Sequence, residues 1–143
     1  MNATEAFSKL LMADSDEKFF MTWIVVNQAI ARGDADTAGD LLKRHPRFAD
    51  DTFGREALAR LAIMNGDGER AAEIYASVEA ESSEARIFLA RRAFNHQQWD
   101  EATRLTESLL EQHPESTVLQ DLLQAIVEAS ARSEATAKSA VHA

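Results

Sequence analysis

Residues 97–114, QQWDEATRLTESLLEQHP, decide the fold, because the same half-repeat stands twice upstream. Counting back from Ala102 reaches Ala71 and then Ala38, at separations of 31 and 33 residues. Five positions before these alanines stand Gln97, Gly66 and Gly33. Three positions after them stand Leu105, Ile74 and Leu41, and one further on Thr106, Tyr75 and Leu42. A period in the low thirties, made of two short helices, marks a solenoid whose units stack to bury apolar faces they cannot bury alone. A second register supports the first. In the preceding helices Val25, Leu58 and Leu89 align, as do Val26, Ala59 and Ala90, and Ala29, Ala62 and Ala93. Small residues at matching places let neighbouring helices approach closely.

The alanine, the apolar residue after it, Pro114 twelve positions beyond Ala102, and Trp99-Asp100 just ahead resemble the tetratricopeptide (TPR) repeat, over roughly residues 17–130. That resemblance implies an all-α, right-handed TPR-like α-solenoid of about three helical hairpins, with an N-terminal helix and a C-terminal capping helix. The chain departs from the family pattern at two points. The tryptophan expected early in each first helix is out of register: Trp23 sits one position late, and Arg55 and Arg86 hold that place in the next repeats. Pro46 follows Ala38 by only eight residues, which predicts a short second helix in the first repeat.

Length and composition agree with a helical reading. The 143 residues correspond to one domain, over 1–131, followed by a flexible polar tail at 132–143. With 5 Gly and 2 Pro, turns are few and helices carry most of the chain. A net charge of −9 leaves no basic face to displace counterions from phosphate, so nucleic acid is not an expected partner. The absence of cysteine rules out disulfides and thiolate metal sites and fits a reducing cytosol. The N-terminus lacks a basic stretch followed by an apolar run, and the most apolar window, 19–30, contains Thr22, Asn27 and Gln28. Neither a signal peptide nor membrane insertion is expected, and the expected compartment is the cytoplasm.

Local signals place the elements. An amphipathic helix is predicted at 2–12, and a longer one at about 16–32 behind the Asp14/Glu17 capping pair, ended by Gly33. Asp34 caps a helix over 35–45 that Pro46 stops, with His45 placed to interact with the last carbonyls. Asp50, Asp51 and Thr52 offer caps for a helix to about Asn65 with Leu58, Leu61 and Ala62 as its buried stripe. Residues 65–68 break the chain before a helix at 69–80. Ser82 or Ser83 caps the next, to about Asn95, and residues 98–112 pair with it. A helix at 115–131 closes the solenoid, and from Arg132 a frayed or disordered tail is expected.

Catalytic and metal-binding patterns are missing. His45, His96, His113 and His142 have no ligand spacing between them. Asp50-Asp51 reads as a helix cap, and the run from Asn65 to Glu69 lacks the spacing of a calcium loop. No cofactor and no enzymatic activity are expected. In TPR-like solenoids the first helix of each repeat lines a concave face. The resemblance carries that role onto Phe20, Trp23, Asn27 and Ile30; then Phe53, Glu56, Arg60 and Ile63; then Glu84, Ile87, Arg91 and Phe94. Aromatic and aliphatic residues beside two arginines suit a partner helix or extended peptide. For Phe20, Trp23 and Ile30 a second reading stays open, in which they are core covered by helix 2–12. The implied function is a protein–protein interaction module without catalysis. A small, acidic, cysteine-free repeat resembles the cytosolic chaperones of bacterial type III secretion. The alternative is a structural adaptor that pairs with itself, as a homodimer, through apolar solenoid surfaces.

Overall fold

The computed structural model describes residues 16–142, all of whose regular structure is helical. The helices are α1 (Asp16–Ala31), α2 (Ala35–Arg44), α3 (Thr52–Met64), α4 (Gly68–Ala76), α5 (Ser83–Asn95), α6 (Trp99–Gln112) and α7 (Thr117–His142), with a 3-10 turn at Pro46–Ala49. The helix expected at 2–12 lies outside the described residues, as does Asp14 of the predicted capping pair. The chain divides into two compact units at Glu81/Ser82. The first holds the antiparallel pairs α1/α2 and α3/α4; the second holds α5/α6 and α7.

The repeat is written most clearly in its turns. At the ends of α1, α3 and α5 the backbone enters the left-handed region at Gly33 (φ 76°), Gly66 (φ 77°) and Gln97 (φ 59°). In each, that residue's N–H reaches back three positions, to the carbonyls of Ile30, Ile63 and Phe94. The next N–H reaches back five, from Asp34 to Ala29, Asp67 to Ala62 and Gln98 to Ala93, each at 2.8 Å. This double bond pattern satisfies the last carbonyls of a helix and turns the chain into the next one. Asp34 and Asp67 then cap α2 and α4 by accepting from the N–H of Thr37 and Arg70, whereas Gln98 makes no such side-chain bond to α6.

The alanines that revealed the period are the deepest residues: Ala38, Ala71 and Ala102 are fully buried. So are Val26, Ala29, Ala59 and Ala90, with Ala62 and Ala93 close behind. In the first unit they pack with Leu41, Leu42, Ala57 and Phe48, whose ring stacks on Phe19 at 4.6 Å. In the second, Ala93, Ala102 and Ile126 form a cluster flanked by Phe94, Trp99 and Leu122.

Several local expectations need correction. The buried positions of α3 are Gly54, Ala57, Ala59 and Ala62, while Leu58 and Leu61 lie half-buried beside the core. Close approach of helices favours small residues at the line of contact and moves large ones to its margin. The helix read at 69–80 ends at Ala76 and continues as turns to Glu81. His45 leaves the capping of α2 to its backbone N–H, bonded to Leu42, and sets its ring edge-on to Phe48 at 6.3 Å. Finally, α7 runs on to His142, where a helix end at 131 and a frayed tail were expected. Ala, Ser, Glu and Lys in that stretch have enough helix propensity to prolong a helix already nucleated by Leu122 and Ile126.

Candidate functional site

Two surfaces carry the residues that the repeat pattern singled out, one in each unit. In the first unit α1 and α3 lie in contact, so their corresponding faces meet. Phe20 stacks on Trp23 at 6.1 Å, and Trp23 meets the edge of Phe53 at 5.8 Å. Phe20 and Phe53 remain 56% and 57% exposed, a large apolar area to leave facing water, and Ile63 is exposed further along α3. Trp23 is half-buried between them, and its indole N–H is buried without a partner among the described residues. Ile30 is half-buried against the core, so it serves packing.

Polar residues on this face hold the two helices together. Asn27 donates from Nδ2 to the Trp23 carbonyl at 2.9 Å, and its Oδ1 accepts from Nη1 of Arg60. Arg60 is half-buried and joins α3 to α1 through that contact, as Glu56 lies half-buried on the same helix. The arginine expected to await a partner's carboxylate thus has a structural engagement within the chain.

In the second unit a cleft of about 320 Å³ opens between α5 and α7, floored by Leu109 of α6. Ile87 and Arg91 line it from α5, His113 and Ser116 from the α6–α7 turn, and Val118, Leu119 and Leu122 from α7. Val118 is 71% exposed. Phe94 lies elsewhere, edge-on to Trp99 at 5.5 Å and packed on the local core. Glu84 is half-buried near the start of α5. Of the three places carried over onto α5 beyond Glu84, the cleft therefore takes Ile87 and Arg91 and leaves out Phe94. The α7 contribution was missed because that helix was read only as a cap. The signal was present: Ile126 follows Ala93 by 33 residues and is fully buried like it, so α7 begins a further repeat.

The arginines that stand in the place of the family's tryptophan cross-link each hairpin. Arg55 of α3 donates from Nε to Ser77 Oγ at 2.7 Å and from Nη1 to the Ala49 carbonyl at 2.6 Å. Arg86 of α5 is buried and reaches Ser83 and Gln112 from Nη2 and Ser108 from Nη1. The equivalent residue in α1 is Thr22, fully buried with its hydroxyl unpartnered among the described residues.

Hydrogen bonds and burial shift individual titratable groups. Hydrogen bonds from the Thr37 side chain and N–H hold the Asp34 carboxyl below its usual range. The hydrogen bond from Arg104 does the same for Glu101. Burial, followed by Lys18 and Arg44, pushes the His45 imidazole down. Among the described residues no three His, Asp or Glu side chains converge as metal ligands. Among them, too, no helix is long and apolar enough to cross a membrane.

Residues 62–126 match the family model for the tetratricopeptide repeat, a span from the end of α3 through α4, α5 and α6 into α7. No curated protein and no solved structure matches the chain. With the period, the repeated turns and the paired helices, that match supports a TPR-like helical-repeat fold, and such repeats are in general non-enzymatic modules for protein–protein interaction.

Proposed function

We propose that this chain binds a protein partner through the faces of its first-in-repeat helices, taking an apolar segment of that partner as a helix or extended peptide. The observation that carries the reading is the pair of exposed rings, Phe20 and Phe53, with half-buried Trp23 between them, fixed in place by ring contacts and by the Asn27–Arg60 contact. Rigid aromatic side chains provide contact area at little entropic cost, and they dominate binding energy where they occur. Ile63 extends the same apolar face along α3. The finer reading is a cytoplasmic holdase of the type III secretion kind, which shields an apolar segment of its client until export. It draws on the small size, the net charge of −9 and the lack of cysteine.

The test is affinity capture from the native host with the wild-type chain and with Phe53→Asp. One partner is expected with the wild type, accompanied by a rise in its melting temperature. Capture is expected to fall at least tenfold with Phe53→Asp, the circular dichroism being unchanged. Equal capture by the two proteins rejects the reading. The exposed Phe20 and Phe53 suit a second copy of the chain equally well in chemistry, so the adaptor reading is tested alongside. A stable dimer by light scattering, dissociated by Phe53→Asp, with no partner recovered, establishes self-association instead.

A further inference from the structure

We infer that Asn65 is a self-modifying site, which deamidates to isoaspartate and aspartate by attack of the Gly66 nitrogen, and that the turn between α3 and α4 gates the reaction. This goes beyond the partner-binding reading and does not rest on it. Of the asparagines Asn2, Asn27, Asn65 and Asn95, Asn65 alone is followed by glycine. A residue without a side chain lets its backbone nitrogen approach the asparagine amide without steric opposition. Asn65 is exposed at the end of α3, so water and hydroxide reach it. In the step, hydroxide takes the Gly66 amide proton and the nitrogen forms a bond to Asn65 Cγ. The Cγ–Nδ2 bond breaks, and Nδ2 leaves as ammonia after taking a proton from water, which regenerates the hydroxide. Water then opens the cyclic imide. Cleavage on the Cγ side leaves aspartate, and cleavage at the backbone carbonyl leaves isoaspartate. Nothing is oxidised or reduced, and the net change is water in and ammonia out.

The closed turn opposes this step twice. The Gly66 N–H donates to the Ile63 carbonyl at 3.0 Å, which keeps the proton on the nucleophile. Asn65 has ψ 5°, and ring closure must rotate the Gly66 nitrogen about that bond toward Cγ. That rotation breaks the Gly66 bond and the bond from the Asp67 N–H to the Ala62 carbonyl. Reaction therefore proceeds from the opened turn, whose population is set by local stability. The product does not restore the turn. Isoaspartate carries the main chain through Cβ and Cγ, an extra backbone atom in a motif whose bonds join fixed positions. Its new carboxylate stands at the C-terminal end of α3, where the helix dipole disfavours negative charge. The two equivalent turns lack the chemistry, since they hold Arg32-Gly33 and His96-Gln97 at this place. Asp67-Gly68 forms the same imide by losing water, but a carboxylate is the poorer electrophile, and this one accepts from the Arg70 N–H at 3.0 Å.

The experiment incubates the full chain in mildly alkaline buffer at physiological temperature, folded or in urea, and follows position 65 by peptide mapping and mass spectrometry. The mass gained on exchanging NH for O is expected at Asn65, at least about tenfold more slowly in the folded chain than in the unfolded one. Asn27 and Asn95 are expected to stay intact in the same maps, and the mass gain separates the reaction from isomerisation at Asp67. Asp67→Ala, which removes the α4 cap, is expected to narrow the gap between folded and unfolded rates with circular dichroism unchanged. Urea below the unfolding transition is expected to narrow it too, with no variant needed. The isoaspartyl form, separated by anion exchange, is expected to melt below Asn65→Asp, which adds the charge on an ordinary backbone. Equal rates in the folded and unfolded chains, a folded chain that never gains the mass at position 65, a gap insensitive to dilute urea, or an isoaspartyl form as stable as Asn65→Asp overturns the inference.

Discussion

At the scale of single residues, arginine does the work that an aromatic residue would do in the family pattern. Arg86 is buried, yet three side chains accept from its two Nη atoms: Ser83, Ser108 at 3.2 Å and Gln112 at 2.7 Å. Removing it opens a void at a buried position and breaks three hydrogen bonds that tie α5 to α6 and to its own first turn. Arg86→Ala is therefore expected to lower stability by about 2–4 kcal/mol in urea unfolding. Arg86→Lys recovers little, because one ammonium cannot span all three partners. Gly54 is constrained differently: a Cβ there would lie 2.5 Å from the Phe48 Cα, where the 3-10 turn crosses α3. His45 makes stability depend on pH. Its folded-state pKa is lowered by burial and by Lys18 and Arg44, so the unfolded chain binds the proton first as pH falls. The urea midpoint is expected to be at its plateau above the ordinary histidine value, near 6.5, and to decline as pH falls from there toward the lowered folded value. His45→Gln removes that part of the decline.

At the scale of elements, the three helix ends make a controlled comparison within one chain. Gly33-Asp34 and Gly66-Asp67 combine a residue free to adopt positive φ with a carboxylate cap, whereas Gln97-Gln98 has neither. A side chain in the left-handed region costs about 1 kcal/mol relative to glycine, and a missing cap costs a similar amount. Gln97→Gly with Gln98→Asp is thus expected to raise stability by about 1–2 kcal/mol, read as an increase in melting temperature. No gain would mean that Gln97 is held in this conformation by contacts other than the turn's own bonds. Gly54→Ala should act in the opposite direction and cost several kcal/mol, because backbone of the Pro46–Ala49 turn would have to move. A shift in helical content confined to that turn and α3 would distinguish it from general unfolding.

At the scale of the whole molecule, the division at Glu81/Ser82 predicts that stability is distributed by unit. Repeat chains lose order locally, since each unit depends mainly on its own interior. Leu105 is fully buried in the second unit. Leu105→Ala is expected to speed amide exchange strongly through α5–α7 and much less through α1–α4, and uniform acceleration would show that the chain unfolds as one. The period, the left-handed glycines, the aspartate caps and the buried alanine columns were all legible in the residues from Ala29 to Ala102, because helix propensity, capping and close packing act over a few residues and repeat in register. The expected lining of the binding face was legible as a set of positions, and Phe20, Trp23 and Phe53 do come together from it. What the chain alone determined was therefore the repeating helix–turn–helix order, which local bonds dictate. Only the tertiary structure decided that Arg60 is engaged by Asn27 while Arg91 lines a cleft, and that α7 supplies a wall of that cleft. Which side chains meet depends on the neighbours each helix finds in space, and two residues in the same place of a repeat are identical in sequence terms until those neighbours are present.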